Sequence, residues 1–243
     1  MRRRWMIIAA LPLVVMTAIA QTEKAPTVDS ILDAYVKAMG GKAAIEKATT
    51  QQGKGTFEMP TMGMKGSMET ITKAPDKSLM KMDIPGFGAV QEGFDGTVAW
   101  SQNPAQGMRE KSGPELAMTK RGAQFFRHLR LKELYPTIEL KGVETVDGKE
   151  AYLLIATPPD GGPEKWYFDK QTSLLIRFEL EMEGPMGKMQ IVTDMQDYRE
   201  TDGIKAPWLI KQQAGPMQVS IKIEEVKHNV PADDALFKKP SAP

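Results

Sequence analysis

The sequence contains no cysteine and only two histidines, His128 and His228. Without cysteine the chain forms no disulfide bond, has no thiolate nucleophile and offers no site for the diacylglyceryl anchor of a lipoprotein. The common motifs of nucleophilic hydrolases, zinc proteases and nucleotide-binding loops are also absent from the sequence. The two histidines lie far apart in the chain, and we expect both at the surface. We therefore expect no enzyme activity, no cofactor and no metal centre.

The sequence also lacks an excess of charge of either sign. The 32 Lys and Arg nearly balance the 31 Asp and Glu, so the chain has no excess of basic residues for nucleic acid. After residue 20 no apolar run is long enough to span a membrane as a helix. We therefore expect neither nucleic-acid binding nor a membrane-spanning helix in the remainder of the chain.

The N-terminus has the pattern of a secretory signal peptide. Arg2, Arg3 and Arg4 precede an apolar run from Trp5 to Ile19, and the small residues Ala18 and Ala20 fit a cleavage site. The alternative is an uncleaved membrane anchor, for which the run is short. We predict a cleaved signal peptide over residues 1–20 and a single domain over residues 21–243, located in the periplasm.

Alternation of apolar and polar residues predicts a series of antiparallel strands. The clearest strand runs from Leu174 to Glu183, where the apolar side chains occupy every second position. Similar strands are predicted from Lys188 to Met195 and from Met217 to Glu224, with an Asp202-Gly203 hairpin turn between them. A meander of this length, with glycines on its inner face, tends to curl.

Two regions have helical patterns instead. Apolar residues recur at helical spacing from Val28 to Met39, Thr27 is a plausible N-cap, and Gly40-Gly41 ends the helix. A shorter helix is expected from Lys42 to Ala48. A further helical region, Glu115 to about Leu134, carries a basic cluster that would form a solvated face or contact anionic headgroups: Lys120, Arg121, Arg127, Arg130 and Lys132.

Methionine is the most over-used residue, with 17 in the chain. Methionine fills gaps in ordinary cores, but it also lines apolar surfaces that accept ligands of variable shape. A third interpretation is a Cu(I) site, because thioethers are soft ligands and Met59-x-x-Met62-x-Met64 has a suitable spacing. Composition alone leaves all three interpretations open.

Several segments together resemble the outer-membrane lipoprotein-sorting family, the LolA/LolB-like periplasmic carriers, and in particular a longer bacterial branch. They are turn and strand signatures spread over nearly the whole mature chain: Ala38-Met39-Gly40-Gly41, Gly93 to Trp100, Tyr167-Phe168-Asp169 with Leu174-Leu175, Asp197-Tyr198-Arg199, Asp202 to Pro207, Asn229-Val230-Pro231 and Asp233 to Phe237. The resemblance implies a mainly β (α+β) fold, an unclosed and strongly curved antiparallel β-barrel with helices covering its concave face.

The resemblance also implies a non-enzymatic carrier or chaperone that binds the acyl chains of a lipoprotein or lipid. It would be a monomer that makes transient contact with a membrane-bound donor or acceptor. The candidate cavity residues are Met64, Met68, Met80, Trp100, Phe126, Phe178, Met189, Ile191, Trp208 and Ile221. Arg121 or Arg127 is a candidate for the arginine that latches a lid in this family. The alternatives are a methionine-rich Cu(I)-binding protein and an envelope assembly or stress-sensing factor that binds a protein partner.

Overall fold

The computed structural model describes residues 25–184 and 187–240. The predicted signal peptide, residues 1–20, and Met186 lie outside the described residues.

A single sheet of thirteen antiparallel strands makes up most of the described chain. The strands are β1 (Thr50–Met59), β2 (Met64–Lys73), β3 (Lys77–Ile84), β4 (Gly88–Phe94), β5 (Ala99–Asn103), β6 (Gly107–Glu110), β7 (Thr137–Val146), β8 (Lys149–Thr157), β9 (Glu164–Asp169), β10 (Leu175–Gly184), β11 (Gly187–Thr201), β12 (Ile204–Ala214) and β13 (Met217–His228).

The order of the strands gives the sheet two halves that meet at its centre. β1 pairs with β13, β2 to β6 extend to one edge, and β12 to β7 extend to the other. The edge strands β6 and β7 do not pair with each other, so the sheet remains open. The predicted mainly β fold, an unclosed antiparallel sheet with helices, is confirmed.

In the described part of the chain, four short α-helices accompany the sheet: α1 (Val28–Ala38), α2 (Lys42–Lys47), α3 (Gly113–Ala123) and α4 (Leu131–Leu134). α1 begins at the predicted cap, where the Thr27 hydroxyl accepts a hydrogen bond from the Ser30 backbone amide at 3.1 Å. Over the described ranges, no helix has the length and apolarity needed to cross a membrane.

The second helical region differs from the prediction of one helix from Glu115 to about Leu134. α3 ends at Ala123, and a 3-10 turn (residues 127–129) and α4 follow. The break has a packing cause: the Phe125 backbone amide bonds to the Pro75 carbonyl at 2.9 Å, and Phe126 turns into the core beneath α1. Tertiary contacts therefore override the helical composition of this segment.

The predicted hairpin turns form as expected. Asp202 and Gly203, with φ of 54° and 79°, join Thr201 directly to its cross-strand partner Ile204. The alternation of β10, in contrast, is broken by a bulge between Leu175 and Arg177. Ile176 therefore packs beside Tyr167 on the opposite face from Phe178, although the sequence pattern predicted one face for both apolar residues of the strand.

The two faces of the sheet have different roles, and we call the one that α1 packs against the helix face and the other the outer face. Cross-strand partners point to the same face, so the register can be followed from one half of the sheet to the other. On the helix face this path includes Trp166, Phe178, Thr193, Gln212, Val219, Ile221, Phe57, Met68, Met82 and Val90.

Glycines on the helix face allow neighbouring backbones to approach closely, as the sequence predicted. A Cβ at Gly55 would lie 2.1 Å from the Lys222 carbonyl oxygen, and one at Gly66 would lie 1.9 Å from the Asp83 carbonyl oxygen. Because no side chain fits there, only glycine permits this close approach at β1 and β2.

Candidate functional site

A cavity of about 280 Å³ lies between the helix face of the sheet and the segment from α3 to α4. Its floor consists of apolar strand residues: Trp166, Phe168, Leu175, Phe178, Leu180, Met182, Ile191 and Met195, with Gln212 at one side. Its roof consists of Met118, Arg121, Gly122, Arg127, His128, Leu131, Leu134 and Tyr135, with Tyr35 from α1. The lining is therefore mostly apolar with a few polar groups, as in binding sites for small apolar ligands.

Tyr35 and His128 form a neutral pair in the cavity wall. The Tyr35 hydroxyl lies 2.8 Å from Nδ1 of His128, and the Tyr35 ring packs edge-on against Phe168 with 5.1 Å between centroids. Burial, together with the nearby charge of Arg127, lowers the pKa of His128 to about 3. Burial also raises the pKa of Tyr35 above its usual value. The wall therefore carries no charge at this point near neutral pH.

Neither histidine has the exposed position expected from the sequence. His128 is part-buried in the cavity wall, and the His228 side chain is only 4% exposed, with Nδ1 3.2 Å from Asp202. His128 lies in the turn that breaks the predicted helix, which explains why helical spacing did not identify it.

A polar cluster closes one end of the cavity. Glu164 accepts hydrogen bonds from the Tyr135 hydroxyl at 3.0 Å and from the Trp166 indole at 3.1 Å. Arg121 approaches the other oxygen of Glu164 at 3.5 Å and also pairs with Asp160. Burial, with the neighbouring charge of Glu164, raises the pKa of Tyr135 to about 12. This end of the cavity is therefore fully partnered without a ligand.

Beyond the cavity, the helix face continues over β1 to β3 as a methionine-rich area. We call this area the methionine surface and define it as Met59, Met64, Met68, Met80 and Met82, which pack around Phe57. The cluster contains strand residues alone, and four of the five methionines are only partly buried. The apolar floor of the cavity thus extends toward the other half of the sheet.

The candidate residues predicted from the sequence occupy several different places. Phe178 and Ile191 line the cavity. Met64, Met68, Met80 and Ile221 belong to the Phe57 cluster on the same face. The other four lie elsewhere: Phe126 in the core beneath α1, Met189 opposite Met182 at the end of β10, Trp100 on the outer face and Trp208 beneath the Arg199 guanidinium.

Sequence reasoning missed the aromatic wall of the cavity. Tyr35 belongs to the apolar stripe of α1, and Trp166 and Phe168 alternate in β9, so their burial was predictable. Their position in a ligand cavity depends on the pairing of distant strands and on where the helical segment crosses the sheet. No local pattern in the sequence carries that information.

A second hollow, of about 460 Å³, lies on the outer face near β1 to β4. Its lining is dominated by polar and charged side chains, among them Lys54, Glu69, Lys81 and Asp83. A hollow of this kind does not suit an apolar ligand, so the cavity under the helices is the candidate site.

The titratable groups of the cavity are few and are mostly paired with one another. Its titratable side chains are Arg121, Arg127, Glu164, the neutral His128 and two tyrosines. In the part of the chain that the structure describes, no three histidine, cysteine or acidic side chains come together to hold a metal ion. The polar groups instead orient one another around an apolar space.

The described chain thus forms an open antiparallel sheet with an apolar cavity beneath its helical segment. No protein-family profile and no curated protein matches the sequence. Solved structures, however, share the fold over most of the chain. A LolA superfamily protein from Nitrosomonas europaea aligns with a TM-score of 0.60 at 14% identity, covering 88% of this chain and 99% of that protein.

Two other solved structures agree. A DUF1329 family protein from Desulfovibrio piger has a TM-score of 0.60 at 18% identity, covering 87% of this chain and 97% of that protein. A domain from Vibrio parahaemolyticus described as a putative outer membrane lipoprotein-sorting protein has a TM-score of 0.58 at 13% identity. The alignment covers 86% of this chain and 96% of that domain. The resemblance to the lipoprotein-sorting proteins is thereby confirmed at the level of the fold.

Proposed function

We propose that the protein is an exported, non-enzymatic carrier that binds an acyl chain in the cavity between α3, α4 and the sheet. The observation that carries this proposal is the apolar cavity itself, whose floor is built from Phe178, Leu180 and Ile191 on adjacent strands. The fold shared with LolA superfamily proteins supports the same function. The predicted signal peptide supports export to the periplasm.

The energetics of such binding are favourable for a modest cavity. Each methylene removed from water contributes about 0.8 kcal/mol, so burying several methylenes of an acyl chain suffices for useful affinity. The methionine surface offers further apolar contact on the same face, because Val219 and Ile221 connect it to the cavity floor. Methionine side chains adapt to chains of different length and shape. A long or branched lipid therefore has room beyond the cavity.

Filling the cavity tests the proposal. Ile191 lies beside its cross-strand partner Leu180 in the cavity floor, so Ile191→Trp places a large side chain where the acyl chain would lie. We expect the affinity for a fluorescent fatty acid to fall at least about tenfold, which corresponds to about 1.4 kcal/mol. Fluorescence titration of the purified protein measures this change.

The matched control is Val143→Trp, because Val143 is 46% exposed and lies on β7 away from the cavity. The Val143→Trp variant should bind the probe as the unsubstituted protein does. Both variants should have the circular dichroism spectrum of the unsubstituted protein, which indicates an unchanged fold. Equal affinity of the Ile191→Trp variant and the control would exclude the cavity as the acyl site.

The Cu(I) alternative rests on a different set of methionines from the one that the sequence suggested. Met62 is 53% exposed and lies outside the methionine surface, whereas Met68 faces its cross-strand partner Met82, with Met80 two residues away. Three thioethers on one face are a plausible ligand set for a soft ion. Changing Met68 and Met82 to leucine would abolish Cu(I) binding and leave acyl binding intact, which separates the two functions.

A further inference from the structure

Arg127 differs from every other arginine that the structure describes. Each of the other five makes an ion pair through its guanidinium group: Arg109 with Glu115, Arg121 with Asp160, Arg130 with Glu133, Arg177 with Asp194 and Arg199 with Asp197. Within the described ranges the Arg127 side chain has neither an acidic partner nor a hydrogen bond. It is nevertheless fixed near the site, because it belongs to the turn that carries His128.

The position of Arg127 brings this unpaired charge to the cavity. The residue lines the cavity and is also exposed to solvent, so it lies where the cavity opens. Its charge acts on the neutral groups around it and contributes to lowering the pKa of His128. An exposed guanidinium beside an apolar cavity can bind an anion without the cost of full desolvation.

The side chains that line the cavity carry more positive than negative charge. The lining contains two guanidinium groups and one carboxylate, and that carboxylate, Glu164, is already shared among Arg121, Tyr135 and Trp166. The Arg121 charge is further compensated by Asp160. One positive charge, that of Arg127, therefore remains for a ligand.

We infer that Arg127 binds the anionic group of the acyl ligand, so that the cargo is an anionic amphiphile with a carboxylate or phosphate next to its acyl chain. This inference rests on the proposed carrier function and narrows its ligand class. A guanidinium donates two parallel hydrogen bonds to either anion, while the apolar floor takes up the chain. An acyl chain attached through an amide or ester to a neutral group would leave Arg127 without a partner.

Calorimetric titration with three probes of equal chain length tests the inference: dodecanoate, dodecyl phosphate and dodecanol. The full-length mature protein should bind both anions about tenfold more tightly than the alcohol. In the Arg127→Gln variant the affinities for the anions should fall to that of dodecanol, while dodecanol binding stays unchanged and reports an intact cavity. Whether dodecanoate or dodecyl phosphate binds more tightly identifies the source of the anion.

The matched control is Arg130→Gln. Arg130 lies three residues after Arg127 and carries the same charge, but its side chain does not line the cavity. The Arg130→Gln variant should keep the preference for anions. Equal binding of anions and alcohol by the unsubstituted protein, or an equal effect of the two substitutions, would overturn the role of Arg127. Tight binding of acetate or inorganic phosphate without a chain would also overturn it. Failure of all three twelve-carbon probes to bind would instead reject the carrier function itself.

Discussion

At the scale of single residues, the cavity keeps its polar groups neutral or paired. His128 and Tyr35 share a hydrogen bond at 2.8 Å, and Glu164 accepts from two buried donors at the other end of the cavity. Unpartnered polar groups in such a space would cost about 1–3 kcal/mol each. The arrangement therefore preserves an apolar interior, with the unpaired charge of Arg127 at the exposed edge of the cavity.

The neutral state of His128 makes the stability of the protein depend on pH. The pKa of His128 is about 3 in the native protein, against about 6.5 for an unperturbed histidine. Between these values the unfolded chain binds a proton that the native protein does not, so the free energy of unfolding decreases as the pH falls. We expect this contribution to approach about 1.4 kcal/mol per pH unit once the pH is below about 6.

Comparison with a His128→Gln variant isolates this contribution, because glutamine can still bond to Tyr35 but does not titrate. In urea unfolding at pH 7 and pH 5, the unsubstituted protein should lose more stability than the variant over this interval. Proton NMR of His128 in the native state should show no titration above pH 5. A His128 resonance that titrates near pH 6.5 would contradict the burial of a neutral imidazole.

At the scale of elements, the C-terminal segment holds the outer face of the first half of the sheet. Phe237 is fully buried next to Trp100 and Leu79, and the Trp100 indole donates a hydrogen bond to the Phe237 carbonyl at 2.9 Å. Lys73 and Lys77 both pair with Asp234 in the same segment and keep the pKa of Asp234 low, at about 2. The segment thus acts as a clamp across β2, β3 and β5.

Removing the Phe237 ring should destabilise the fold without affecting the cavity. We expect Phe237→Ala to lower the free energy of unfolding by about 3–5 kcal/mol, because it leaves a void beside Trp100. The neighbouring Leu236→Ala should cost under about 1 kcal/mol, since Leu236 is 42% exposed. Urea denaturation compares the two variants, and similar losses would argue against the clamp.

The elements themselves were largely predictable from sequence, because their signals are local. The cap at Thr27, the turn at Asp202-Gly203 and the alternation in β11 and β13 each act within a few residues. The break after Ala123 and the bulge at Ile176 were not predictable, since each depends on a distant partner. The prediction that the basic cluster forms a solvated face was only partly correct, because the Arg121 side chain is 13% exposed and pairs with Asp160 beside the cavity.

The cavity could be predicted only in part for the same reason. Sequence identified apolar positions on the helix face, such as Phe178, Ile191 and Met68, because strand alternation determines the face. It did not distinguish a residue that lines the cavity from one on the methionine surface. That distinction depends on where the segment from α3 to α4 crosses the sheet, which is a property of the whole chain.

At the scale of the whole molecule, the pairing of β1 with β13 joins two halves that different helices cover. α1 packs on the half from β7 to β12, whereas α3 packs on β4 and β5 of the other half. The cavity lies beneath the helices in one half, and the methionine surface occupies the same face in the other. This division suits a carrier that encloses one part of an apolar ligand and holds another part on an adaptable surface.

Native mass spectrometry of the protein, purified without detergent from cells that express it, tests the proposed carrier function most directly. We expect an additional mass of an acyl-containing molecule in stoichiometric amount, which organic extraction releases and identifies as an anionic lipid or fatty acid. An empty protein that takes up no fatty acid or phospholipid on incubation, but binds Cu(I) in a defined ratio, would contradict the carrier function and favour the methionine site instead.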